Sequence, residues 1–217
     1  MELNPQKNRE HYFKPKYNSL ERFISYFYQI DLVSPLVEDK AKDAILEVGV
    51  GSGMASDYLK KAGFSVVTCD FDPNLNPDHV ADVRQLPFES GSFRVVTAFE
   101  VLEHLPFDEF EKALFEIKRV SSKYVVISLP YRSTGFEFVF KFPGARRLFG
   151  RSFFDLFLRV PLKFSGIKTS GQHYWEIDGY NYPLEKVIRT LKRHFAGIKK
   201  IKPVLDGYRL FFVLEKK

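Results

Sequence analysis

The stretch ILEVGVGSG, residues 45–53, decides the fold. It opens as a short run that is apolar but for Glu47, the pattern of a strand buried on both faces. Its glycines then lead into a helical segment, Met54–Ala62, that Gly63 closes. Glycine admits left-handed backbone and lets a ligand approach the main chain, and a helix N-terminus offers free N–H groups. The spacing excludes two kinds of nucleotide site. A dinucleotide fingerprint needs G-x-G-x-x-G, and counted from Gly49 its third glycine falls on Met54. No Lys-Ser/Thr pair follows the glycines, as a triphosphate-binding loop requires.

Outward from this turn, strands and helices alternate. SVVTCD (65–70) is a second strand, a faint third lies near His79–Ala81, and FRVVTAF (93–99) is a fourth. Asp108–Val120 has helical spacing, and KYVVISL (123–129) is again a strand. Pro183 opens a further helix to about Phe195. IKKIKPV (198–204), an Asp206-Gly207 turn and YRLFFVLEK (208–216) form a closing hairpin. This rhythm gives an α/β fold: a Rossmann-like, doubly wound, mostly parallel seven-stranded sheet with a C-terminal antiparallel hairpin. Upstream, residues 1–17 read as a loose arm. Ser19 then caps a helix with Leu20, Phe23, Ile24, Phe27, Ile30 and Val33 on one apolar face.

At 217 residues, 45% hydrophobic and 28% charged, the chain has the proportions of one globular domain rather than of a disordered one. No apolar run reaches the roughly 18 residues of a membrane span, and the opening MELNPQKNRE has no apolar core of a secretory signal. The single cysteine, Cys69, excludes an internal disulfide or a cysteine-cluster zinc site. A cytoplasmic protein is expected. The net charge of +6 is unevenly placed: residues 1–130 hold 15 basic and 20 acidic residues, and residues 131–217 hold 18 and 7.

Three segments in order resemble the class I S-adenosylmethionine (SAM)-dependent methyltransferases, in particular the small single-domain type 11 group. ILEVGVGSG is similar to the loop that wraps the amino-acid end of SAM, which implies cofactor-binding roles for Glu47, Gly49, Gly51 and Gly53. VVTCDFDP (66–73) resembles the ribose-binding strand end, where Asp70 would accept from both hydroxyls. Asp72 reads either as a second ribose contact or as a turn former before Pro73. ADVRQLPFESGSFRVVTAFEVLEHLP (81–106) resembles the family's stretch from third strand to post-fourth-strand loop, with Asp82 on the adenine amino group and the Val83 backbone beside the ring. Glu100 stands where the fourth strand opens to the pocket; Glu103 and His104 read first as helix-start residues. Two departures from the family pattern stand out. Only eleven residues separate Asp70 from Asp82, too few for the usual crossover helix, and Arg94 replaces an aspartate, read here as a strand-edge contact.

The resemblance implies methyl transfer from SAM to an oxygen, nitrogen or carbon nucleophile of a small or lipid-like acceptor. RNA or protein methylation and non-catalytic SAM binding are the alternatives. His173, in GQHYWEID, is the candidate catalytic residue: an imidazole removes a proton near neutral pH. A structural histidine bonded to Glu176 is the competing reading. No metal site is expected. Residues 1–43 are read as arm and helix, 44–130 as the SAM-binding core, 131–172 as a lid insertion, and 173–217 as last helix and hairpin. The insertion holds ten Phe or Tyr and eight Lys or Arg, with Glu137 and Asp155 as its acids. Phe136, Phe138, Phe140 and Phe142 alternate as in a strand, and residues 145–160 have a helical period. Three readings of the insertion stand open: a lid packed on the domain or on a partner in a homodimer, a lid over a hydrophobic pocket, or a peripheral helix on anionic membrane. Nucleic acid is disfavoured, since no stacking motif is evident.

Overall fold

A computed structural model describes residues 10, 12, 14–132, 134–150, 152–160, 173–178 and 182–217. Helix α1 (Leu20–Val33) starts at Ser19, whose Oγ accepts from the Arg22 N–H at 3.3 Å. The core then alternates through β1 (Ile45–Val48), α2 (Met54–Lys61), β2 (Val66–Asp70), β3 (His79–Val80), β4 (Phe93–Phe99), α3 (Phe107–Val120) and β5 (Ser121–Pro130). The insertion contributes β6 (Gly135–Phe140), α4 (Ala145–Phe149) and β7 (Phe154–Arg159). Helix α5 (Leu184–His194), β8 (Phe195–Ile201) and β9 (Arg209–Lys216) close the chain.

The main sheet has the order β3-β2-β1-β4-β5-β9-β8. β1 pairs in parallel with β2 and β4, and β9 runs antiparallel to both β5 and β8. Every residue of β1 is buried, as a central parallel strand demands. Helix α3 buries Phe110, Ala113, Leu114, Ile117 and Val120, one stripe at three- and four-residue spacing. Its acids fall in the first turn and its bases in the last, matching the helix dipole. Between β2 and β3 stands only a single 3-10 turn, Pro73–Leu75, as the short Asp70–Asp82 spacing requires. Arg94 is a structural contact, donating to the Leu36 carbonyl and pairing with Glu38.

Two local readings are corrected. Residues 145–160 do not form one helix. Helix α4 stops at Phe149, Gly150 takes the left-handed conformation at φ +69°, and Phe154–Arg159 pairs as a strand with β6. The helical period of this segment coincides with an alternation of Phe and Leu that cross-strand pairing selects instead. In α1 the apolar face is also turned round. Val33 is buried, but its inward companions are Ser25 and Gln29, while Leu20, Phe23 and Phe27 are exposed.

Residues 173–178 are clamped over the ends of β4 and β5. Trp175 is fully buried, donates from Nε1 to the Leu105 carbonyl at 3.0 Å, and packs edge-on to Phe107 and Phe110. The Ile177 N–H donates to Pro130 and its carbonyl accepts from Arg132, both at 2.9 Å. Trp175→Ala is therefore expected to cost about 3–5 kcal/mol in urea unfolding, whereas Phe138→Ala on the exposed β6 strand should stay within about 0.5 kcal/mol.

Candidate active site

The turns at the carboxyl ends of β1, β2 and β4 border a cavity of about 620 Å³, closed from above by α1 and by Tyr12 and Tyr17. That is the range of small-ligand sites, at the sheet edge where α/β proteins hold them. The inward polar face of α1 is thereby explained: Arg22, Tyr26 and Gln29 are cavity wall. Tyr26 Oη accepts from Ser52 Oγ at 2.9 Å, tying helix to glycine turn. Tyr12 is pushed up to about 12 by burial and by the nearby Asp70 carboxylate.

One end of the cavity is glycine and acid. Gly49, Gly51 and Gly53 all have positive φ, +85°, +55° and +73°. At Gly49 there is no room for a side chain: an added Cβ would sit 2.2 Å from Val101 Cγ2. Asp70, 5% exposed, accepts from the Val50 N–H at 2.8 Å and from the Asp72 N–H at 3.0 Å. Burial raises its pKa against those two bonds. Glu47 is buried with Oε2 lacking any hydrogen-bond partner, and burial pushes its carboxyl up to about 7.

The other end is acid and imidazole. Glu100, at the end of β4, sits in left-handed backbone at φ +55°, a conformation uncommon for a non-glycine residue. Its Oε1 accepts from Ser128 Oγ at 2.9 Å and its Oε2 faces Arg209 Nε at 3.5 Å. Burial raises its pKa, opposed by Arg209. His173 Nδ1 meets Glu176 Oε1 at 2.9 Å, and Tyr208 donates its hydroxyl to the same oxygen at 3.1 Å. Arg132 grips the other carboxylate oxygen. Burial works to raise Glu176, but the hydrogen bonds from His173 and Arg132 hold it down at about 2. The anionic Glu176 fixes the Nδ1 proton, so the lone pair of His173 lies on Nε2. His104 stacks edge-on to His173 at 5.0 Å between ring centroids.

Residues 46–127 match the family model described as "Methyltransferase domain". Those residues carry a class I SAM-dependent methyltransferase domain of the type 11 group. The family uses SAM. Solved structures agree in fold. A SAM-dependent methyltransferase from Archaeoglobus fulgidus superposes with TM-score 0.60 at 12% identity, over 95% of this chain and 99% of that one. Magnesium protoporphyrin IX methyltransferase from Synechocystis PCC 6803 with bound S-adenosylhomocysteine gives 0.57 at 14%, over 96% and 98%. Burkholderia thailandensis 1,6-didemethyltoxoflavin-N1-methyltransferase gives 0.57 at 13%, over 96% and 84%. No curated protein matches the chain by sequence.

Of the residues singled out in the sequence, the fold brings Glu47, Gly49, Gly51, Asp70, Asp72, Val83, Glu100 and His173 to the cavity wall. Asp72 also caps the 3-10 turn, accepting from the Asn74 N–H at 2.9 Å. Gly53 stands just behind the wall as the N-cap of α2. Asp82 departs from expectation: its carboxylate is held by Arg84 from Nε at 3.0 Å to each oxygen, and it does not line the cavity. Sequence reasoning missed Tyr12, Arg22, Tyr208 and Arg209, which reach the site from elements without a motif. It favoured a helix-start role for Glu103 over one at the pocket mouth, and that side chain is fully buried.

The cradle's steric limit is testable. Gly49→Ala should lower both the urea midpoint and SAM affinity, and adding Val101→Ala should recover part of each loss by removing the methyl at 2.2 Å.

Proposed function

We propose that this enzyme methylates an oxygen, nitrogen or carbon nucleophile of a small or lipid-like acceptor, which meets SAM inside this cavity. The observation that carries the reading is the joining of a glycine-acid end and an imidazole end in one 620 Å³ space. The fit to SAM rests on Glu47, whose orphaned buried oxygen calls for a cationic donor such as an α-ammonium group. Gly49, Gly51 and Gly53 shape the turn against that amino-acid end, Asp70 and Asp72 take the ribose hydroxyls, and Val83 lies beside the adenine. Asp82 is left to its pairing with Arg84. When bound, SAM supplies an electrophilic methyl on a sulfonium whose thioether leaves readily.

The chain's own task is to align, exclude water and manage one proton. Tyr12, Tyr17 and α1 cover the cavity, and Glu100 stands at the junction of its two ends. Acceptor activation falls to His173, whose Nε2 lone pair can take the nucleophile's proton while Glu176 stabilises the resulting cation.

The insertion supports delivery of the acceptor from an anionic lipid surface. On the β6–β7 ribbon, Phe136, Phe138 and Phe140 stand opposite Leu158, Leu156 and Phe154, so one face is wholly apolar. The first five are 42–65% exposed. Both acids, Glu137 and Asp155, lie on the other face, where Glu137 is neutralised by Lys202 at 3.6 Å. Lys141, Arg146 and Arg147 follow at the ribbon's end, beside exposed Phe142 and Phe149. Aromatic side chains flanked by cations suit an anionic interface. No helix among the described residues is long and apolar enough to cross a membrane.

Three measurements test these statements. Asp70→Asn should weaken SAM binding about 10- to 100-fold in calorimetry, the value of one or two bonds to a charged acceptor. Glu47, raised to about 7, is largely neutral at pH 6 and ionised at pH 8. SAM affinity should therefore rise between these values, with proton release on binding near pH 6.5, and Glu47→Gln should remove both effects. In flotation assays the protein should join phosphatidylglycerol vesicles but not phosphatidylcholine ones, and Phe138→Asp should abolish it. A stable dimer that ignores vesicles would show instead that a second copy covers the ribbon.

A further inference from the structure

Glu103 is the most anomalous side chain in the structure. It is fully buried, and neither carboxylate oxygen has a hydrogen-bond partner. Buried carboxylates are normally paired, because an uncompensated one costs several kcal/mol. Two imidazoles converge on it. The ligating atoms of Glu103, His104 and His173 all lie within 4.8 Å of one another, and Glu103 Oε1 stands 4.0 Å from His173 Nε2.

The surroundings carry an excess of negative charge. Glu100 and Asp206 share Arg209, and Glu176 pairs with Arg132. Four carboxyl groups, counting Glu103, thus face two guanidinium groups, and neither guanidinium pairs with Glu103, which a bound cation would compensate. His173 is arranged as metal-binding histidines are: Nδ1 is engaged by a braced carboxylate at 2.9 Å, leaving Nε2 directed at Glu103. The cluster is anchored by backbone as well, since the Tyr174 N–H donates to the Glu103 carbonyl at 2.9 Å.

We propose that Glu103, His104 and His173 bind one divalent transition-metal cation, and that an oxygen of the methyl acceptor takes an open position on it. Two nitrogens and one carboxylate favour zinc, cobalt or iron over magnesium, and three protein ligands leave coordination positions for a substrate. His104 and His173 line the cavity, so those positions open onto the acceptor end. For its acceptor the inference rests on the methyltransferase reading, and it narrows the nucleophile to a hydroxyl oxygen. A cation on that oxygen lowers its pKa: the O–H bond breaks, the proton leaves to water, and the electron pair stays on oxygen. This replaces the proton transfer to His173 given above: with the cation bound, Nε2 would be a ligand and water would take the proton.

The test uses the full chain, freed of metal by a chelator, and titrated with Co²⁺ and Zn²⁺ alone. One Co²⁺ per chain should bind, with visible absorption bands of a nitrogen- and oxygen-ligated site, and Zn²⁺ should displace it. Glu103→Gln, which keeps the side chain's shape, and His173→Ala should each weaken binding at least tenfold, and the SAM affinity of Glu103→Gln should stay within twofold. Zn²⁺ should raise the Tm of the wild type and leave that of Glu103→Gln unmoved. Absence of Co²⁺ and Zn²⁺ binding, or equal binding by both variants, overturns the proposal. Full methyl transfer by the metal-free enzyme also overturns it and leaves the proposed function standing. Metal binding by a chain that does not bind SAM overturns the proposed function instead.

Discussion

Burial of negative charge at one edge of the sheet organises this molecule. Among the described residues six carboxylates are buried: Glu47, Asp70, Asp72, Glu103, Glu176 and Asp206. All lie where the parallel strands end and β9 begins. A carboxylate removed from water must be compensated, and most of these are. Asp70 uses backbone N–H groups, Asp72 uses Asn74, Glu176 uses His173 and Arg132, and Asp206 uses Arg209. The exceptions are Glu47, with one orphaned oxygen, and Glu103, with both. Glu47 lines one end of the cavity and Glu103 stands behind His104 and His173 at the other, and each calls for a positively charged ligand. The functional reading follows from this pattern: an ammonium-bearing cofactor at the first end, and at the second a cation that the acceptor shares.

The parts of the fold that local chemistry dictates were legible in the sequence. β1 is buried on both faces and reads as an apolar run broken by Glu47 alone; α3 has one stripe, acidic first turn and basic last turn; and the link between the last two strand patterns turns on either side of Asp206, whose Oδ1 accepts from the Tyr208 N–H. The glycine turn was legible because Gly49, Gly51 and Gly53 do what glycine alone does cheaply, holding positive φ against a crowded neighbour. Trp175 shows the limit. Its burial fixes His173 over the cavity, and nothing in GQHYWEID states that its indole belongs to the core between Phe107 and Phe110.

Where the sequence misled, tertiary context reversed a local preference. Helix α1 has an apolar stripe, yet the face turned inward is polar because it walls a ligand cavity rather than a core. Residues 145–160 satisfy two periods at once; Gly150 breaks the helix and the facing β6 strand takes the remainder. Asp82 matched its motif position, but Arg84, two residues on, captures the carboxylate. Tyr208 and Arg209 entered the site through the antiparallel return of β9 beside β5, a topological fact without a sequence motif.

The central claim is that one cavity joins a cofactor end at Glu47 and Asp70 to an acceptor end at His173. A crystal structure with S-adenosylhomocysteine tests it most directly. The account predicts the amino-acid end against Glu47 and the Gly49–Gly53 turn, the ribose at Asp70, and the sulfur facing Glu100 and His173. S-adenosylhomocysteine bound outside the cavity, or with its sulfur turned away from His173, would contradict it.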